Sequence, residues 1–354
     1  MSRLRRTTLS LLTVFVLTGS SLFVVVPAFP ASAAPDPMII TVDTGARCPM
    51  HEASIPLNGT VNVTIDWGDG TFGTYTSPTV ATHTWATLGI HSLGITGTLT
   101  WLGSLPATTT SSCITQVSNW GTTGLTSLAG AFANDTELQS VYYLLPSTVT
   151  SLRETFYGAT TYNGQIALTW NTSNVTDMAS MFRRDFVFNR NVSGWDTSKV
   201  TDMRYMFSED HAFNYPVASW DTSKVTDMRF MFNGDHAFNR GVARWNTANV
   251  TNMYGMFENA SSFNRNLSQW NLSKIAPSTT VDGGADSMGA MLDHTGMSSA
   301  SYGTALVGWA SHAEPTGIRL GAEGLTYPSS ATAARFTLIH TDHWKIADAG
   351  QGAA

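Results

Sequence analysis

The sequence predicts an α+β protein: an N-terminal antiparallel β-sandwich, then a solenoid of short strand/helix coils, then a C-terminal cap. Three observations predict it. Trp170, Trp195, Trp220, Trp245 and Trp270 recur every 25 residues, and a fixed period in this range means stacked units that cannot bury their apolar faces alone. Residues 38–115 are poor in charge, rich in Thr, Val, Ile and Gly, and alternate apolar with polar. After residue 275 the beat stops and apolar residues fall at helical spacing instead.

Residues 1–33 read as a secretory signal. Arg3, Arg5 and Arg6 precede an apolar run from Leu9 to Val26, and Ala31-Ser32-Ala33 supplies a small-residue site with cleavage before Ala34. An uncleaved anchor is the competing reading, because the run approaches the length of a membrane span. Removing three arginines and no acidic residue takes the formal charge from −6 to −9. That balance argues against nucleic acid or an anionic membrane as the main partner. The expected location is outside the cell, secreted or held at its surface, with no membrane contact after cleavage.

The sandwich is expected over 34–115. Val61-Asn62-Val63-Thr64-Ile65-Asp66-Trp67 alternates as a strand does, and Gly68-Asp69-Gly70 turns the chain. His83-Thr84-Trp85 and Ile90-His91-Ser92-Leu93-Gly94-Ile95 read as further short strands. Short strands between turn signals point to a sandwich. The two cysteines, Cys48 and Cys113, suggest one disulfide in an exported chain, with two buried thiols as the alternative. The loop would span roughly 65 residues, worth about 4 kcal/mol in the chain-entropy model. The W-G-D-G turn at 67–70 with the H-T-W-x-x-x-G segment at 83–89 resembles the PKD domain, with Trp85 where that family has Tyr. The resemblance implies an extracellular spacer or interaction module. Asp66 and Asp69 invite a calcium reading, but carboxylates in a glycine turn are more often turn chemistry.

The solenoid is expected over 116–275, with regular coils at 170–275 and decayed ones before them. In the coil starting at Val192, residues 192–196 read as extended and Ser198 as a helix N-cap. Val200, Met203, Met206 and Phe207 then form an apolar stripe at helical spacing. Stacking would set Asp196 beside Asp221; Lys199 and Lys224, three residues later, read as local charge balance within each coil. The unit W-[DN]-T-[SA]-x-V-T-[DN]-M-x-x-M-F-x5-F-N resembles the repeat of BspA-like bacterial surface proteins, divergent relatives of the leucine-rich repeats. That resemblance implies a leucine-rich-repeat-like solenoid, surface display, adhesion and protein binding, without a catalytic motif.

Residues 276–354 are expected to cap the array. Tyr302, Leu306, Val307 and Trp309 fit one short helix, 331–339 another, and 344–346 a strand.

Nothing in the sequence assembles a nucleophile with a base, a phosphate-binding loop or a cofactor site, so no enzyme, cofactor or metal is expected. Asp210-His211 and Asp235-His236 would stack on adjacent coils, but a repeated surface turn explains them better than a metal site. The expected function is binding of an extracellular protein or glycan by a monomer. The candidate surface comprises Ser219, Arg244 and Gln269 on the strand side, and Arg204, Tyr205, Arg229, Phe230 and Tyr254 on the helix side. The alternatives are an accessory module or hydrolase for extracellular polysaccharide, which needs paired carboxylates in a cleft, or a spacer without ligand.

Overall fold

The structure is a computed structural model, and it describes residues 35–45, 51–106, 113–142, 144–164, 169–277, 286–312 and 315–352. The expected signal segment and Cys48 lie outside the described residues. Residues 35–354 form one compact unit.

Six strands open this unit: β1 (Met38–Asp43), β2 (Glu52–Asp66), β3 (Phe72–Tyr75), β4 (Thr79–Thr84), β5 (Ile90–Leu102) and β6 (Ile114–Asn119). They make one antiparallel sheet of order β3-β2-β5-β1-β6, with β4 on the first half of β2. The expected sandwich of short strands is therefore corrected to a single sheet in which two strands, β2 and β5, are long. The sequence reading starts this strand at Val61, whereas β2 already runs from Glu52 through Asn58-Gly59-Thr60. Gly59 adopts φ +68°, and a bulge between Asn58 and Val61 carries the strand through. Met38, Ile40, Val42, Ile55, Leu57 and Ile65 point inward and are fully buried. Cys113, beside β6, is disulfide-bonded.

The sheet hands over to the repeat through its strand ends. Leu102 N–H donates to Ser127 O at 3.2 Å and Val117 N–H to Ser140 O at 3.1 Å. Each later coil lies on the next in register. Thr201 N–H donates to Thr176 O and Thr226 N–H to Thr201 O, both at 2.9 Å. The Trp195–Trp220, Trp220–Trp245 and Trp245–Trp270 rings stack at 6.4, 6.3 and 6.5 Å. Phe182, Phe207, Phe232 and Phe257 form a second column at 5.6–5.7 Å. The Val, Met and Phe stripe is wholly buried, as its apolar character requires.

The coils are not the expected strand/helix units, and that expectation is corrected here. Between 169 and 277 the backbone makes only turns and single-residue parallel bridges, such as Asp177↔Asp202 and Asp202↔Asp227. The stripe Val200, Met203, Met206, Phe207 has helical spacing, but Tyr205 sits at φ +58° within it. A left-handed residue ends any α-helix. The Tyr205 N–H instead crosses to Arg229 O at 2.8 Å. Ser198 caps no helix; its N–H donates to Asp196 Oδ1 at 3.0 Å in a local turn. Lys199 also departs from expectation, since its ammonium bonds Asn174 Oδ1 of the preceding coil at 2.6 Å.

The C-terminal segment holds both α-helices of the described residues, α1 (Ser299–Ala310) and α2 (Thr332–His340). Strands β7 (Arg319–Ala322) and β8 (Lys345–Asp348) pair in parallel. Ser298 caps α1 by accepting from Ser301 N–H at 3.2 Å.

Candidate functional site

One backbone position recurs in every coil with positive φ: Glu154 (+54°), Ser180 (+56°), Tyr205 (+58°), Phe230 (+54°), Gly255 (+60°) and Ala290 (+52°). Left-handed backbone costs a non-glycine residue roughly 1–2 kcal/mol. Two coils nonetheless carry aromatic side chains there, both half-exposed.

These two rings anchor a row. Tyr205 and Phe230 stack at 4.9 Å, 16° from parallel. Phe230 meets Tyr254 edge-on at 5.1 Å and 65°. The Arg183 guanidinium lies over the Tyr205 ring at 4.6 Å and 5.9 Å from that of Tyr157. Beside the row runs a column of carboxylates. Arg229 holds Asp227 through two nitrogens at 2.7 and 3.0 Å. Arg204 bridges Asp202 at 3.2 Å and Asp227 at 3.7 Å. Burial pushes the Asp202 carboxyl up, against the Arg204 N–H bond and charge; Asp177 and Asp227 add to the rise.

Five of the candidate residues, Arg204, Tyr205, Arg229, Phe230 and Tyr254, thus converge. Ser219, Arg244 and Gln269 do not. They are exposed at the turn before the tryptophan column; Ser219 Oγ donates to Ser193 O at 2.8 Å, and no bond or ring contact joins any of the three to the row. Arg183 and Tyr157 complete the row and were not among the candidates. Nothing in the period singles them out, because position 183 holds Ser208 and Asn233 in the next coils.

Two metal readings meet geometry that answers them. The Asp69 carboxylate accepts from Thr71 Oγ1 at 2.6 Å and pairs with His83 Nε2 at 2.8 Å. These bonds hold it well below the usual carboxylate range. Asp210 and Asp235 are fully buried rather than in a surface turn, while His211 and His236 stack outside at 5.2 Å. Carboxylate and imidazole of each pair therefore face opposite ways. Among the described residues no group of three or more His, Cys, Asp or Glu side chains is placed to hold a metal ion.

Asp185, Asp210 and Asp235 form a buried column of their own, at a position occupied by Ala159 and Ala260 in neighbouring coils. Burial pushes all three carboxyls well up; Asp235 and Asp185 push Asp210 further. The Asp210 and Asp235 carboxylates each accept backbone N–H groups through one oxygen, Asp210 from Ala212 at 3.2 Å and Asp235 from Ala237 at 3.1 Å and Phe238 at 3.2 Å.

No curated protein and no solved structure matches the chain. One family does, described as "Mycoplasma protein of unknown function, DUF285", over residues 107–193, 126–220 and 186–294. The BspA-like, leucine-rich-repeat and PKD resemblances are corrected by this finding, since the family that matches is DUF285. The three overlapping matches cover more than half of the chain, which belongs to the DUF285 family.

Proposed function

We propose that this chain is a secreted or cell-surface binding protein that docks an extracellular protein through the row Arg183, Tyr205, Phe230 and Tyr254. The observation that carries it is the placement of Tyr205 and Phe230 at strained left-handed positions where other coils use Glu154, Ser180, Gly255 or Ala290. Bulky rings held half-exposed against a backbone preference point to use of that face. Arg and Tyr are also the residues that most often dominate protein interfaces. A protein partner fits better than a glycan. Sugar stacking needs a bare ring face, and Tyr205 is covered by Arg183 on one side and Phe230 on the other. The basic, apolar start of the sequence and the disulfide at Cys113 support export.

The test immobilises the secreted chain and exposes it to extracellular proteins, and separately to glycans. A double variant, Tyr205→Ser with Phe230→Ser, adopts the residue already tolerated at 180. A species retained by the parent and by an Arg244→Ser control, but lost by the double variant, supports the reading. Equal retention by all three, or retention of glycans alone, overturns it.

A further inference from the structure

The row ends on a cavity of about 480 Å³. The register of the coils makes it. The column that carries Arg204, Arg229 and Tyr254 continues as Gly289, and the column of Tyr205 and Phe230 continues as Gly255 and Ala290. Bulk is thus withdrawn immediately past Tyr254. A Cβ on Gly321 would come within 2.2 Å of Ala290 N, so the floor admits only glycine there, and one on Gly289 would meet Asp286 Cβ at 2.8 Å and Tyr254 Cε2 at 2.9 Å.

Earlier rings in the row are covered by the side chain of an adjacent coil. Tyr254 has Phe230 behind it, no further ring among the described residues stacks on it, and the Arg319 guanidinium on the cavity wall is turned to Asp286. The cavity wall also carries unbalanced negative charge. Arg319 is committed to Asp286 at 3.1 Å and Arg335 to Asp348 at 2.8 Å. Asp293 and Glu323 remain on the rim, with only His294 at 3.9 Å from Glu323. Burial pushes the Tyr254 phenol up, and Glu258, Asp286 and Asp293 push it further against the opposing charge of Arg319.

We propose that this cavity receives a guanidinium group, the arginine side chain of a bound protein, stacked on Tyr254 as Arg183 is stacked on Tyr205 and countered by Asp293 and Glu323. A ring face with a desolvated cation is favourable, and arginine adds planar stacking that lysine lacks. The inference rests on the reading of the row as a protein-docking face.

The experiment titrates the whole secreted chain, labelled at glycine nitrogen, with Nα-acetylarginine amide and with Nα-acetylcitrulline amide, which has the same shape without the charge. The Gly289, Gly321 and Gly324 amides are expected to shift saturably with the arginine probe and at least about tenfold more weakly with citrulline. Asp293→Asn with Glu323→Gln is expected to weaken the arginine probe at least about fivefold, as is Tyr254→Leu, while Tyr254→Phe keeps it. Equal response to both probes, no saturable shift, or full binding by Tyr254→Leu overturns the inference. The Arg244→Ser variant, outside both the row and the cavity, is expected to bind the probe normally. Failure of the probe beside row-dependent capture therefore removes only the cavity, and capture indifferent to the row removes the docking face whatever the probe does.

Discussion

Trp309, on helix α1, donates its indole N–H to Leu267 O at 3.1 Å, repeating the bond that Trp270 makes to Val242 O at 3.0 Å. Trp245 makes the same bond to Val217 O at 2.9 Å. The helix thus closes the array by presenting the side chain that another coil would have supplied. Gly308 permits this approach, since a Cβ there would come within 2.4 Å of Ser268 O.

Trp309→Phe should remove the bond and leave Leu267 O with the Trp270 N–H as its remaining donor, lowering stability by about 0.5–1.5 kcal/mol. Trp309→Ala should cost about 3–5 kcal/mol through cavity formation, comparable to Trp220→Ala in the middle of the array. Chemical denaturation of the three variants checks the ranking. A Trp309→Ala protein as stable as the parent would mean that α1 does not seat on the last coil.

The buried aspartate column predicts an unusual pH profile. Asp185, Asp210 and Asp235 have folded values raised above the ordinary carboxylate value of about 4. In that window the folded state binds more protons than the unfolded state, so the column's contribution to stability falls as pH rises from about 4 toward the folded values. Asp196 and Asp221, lowered by their Ser198 and Ser223 bonds, work in the opposite sense and lose stability as pH falls. Replacing all three buried aspartates with asparagine should therefore stabilise the chain at neutral pH and flatten the decline above pH 4. Denaturation midpoints at pH 4 and pH 7 for parent and variant decide it. Parallel profiles would mean that the column does not titrate on folding.

Tyr205→Gly separates strain from contact. Glycine relieves the left-handed backbone, while the variant loses the stack on Phe230 and the cation contact with Arg183, each worth about 0.5–1.5 kcal/mol. These effects oppose one another, so stability should stay within about 1 kcal/mol of the parent while partner capture falls. A loss of several kcal/mol, read from denaturation midpoints, would show that the ring is needed for the fold itself.

Lys199 offers a test of how neighbouring coils are joined. Its ammonium bonds Asn174 Oδ1 at 2.6 Å, and Lys274 repeats this on Asn249 Oδ1 at 2.6 Å. A double-mutant cycle should find coupling of Lys199 with Asn174 of about 0.2–1 kcal/mol, as for exposed polar pairs, and less with Asp196. The reverse order would restore charge balance within a coil as the organising contact.

What was legible in the sequence was periodicity, and what was not was backbone sign. The Trp, Val, Met and Phe columns are buried because side-chain chemistry at a fixed period admits no other arrangement. The apolar spacing at 302–309 and 331–339 lies on the two helices. The same spacing within the coils misled, because Val200 to Phe207 fits helical geometry in its apolar positions while Tyr205 reverses φ between them. A tyrosine carries no glycine-like mark of that reversal. Asp210 and Asp235 misled in another way: beside exposed histidines they resemble a surface turn, and only the coil register turns them inward next to Ala260. The cavity past Tyr254 was illegible because it depends on Gly289 and Gly321, from segments outside the regular beat, meeting the final coil.

The bonds between coils also have a mechanical consequence. Thr176 to Thr150, Thr201 to Thr176 and Thr226 to Thr201 each join residues about 25 apart, so tension applied along the chain would load one turn of the stack at a time. Each turn released would lengthen the chain by roughly 80 Å at about 3.3–3.6 Å per residue. A protein of this kind under shear would yield in even steps rather than all at once, and the turns still stacked would keep their share of the contact face.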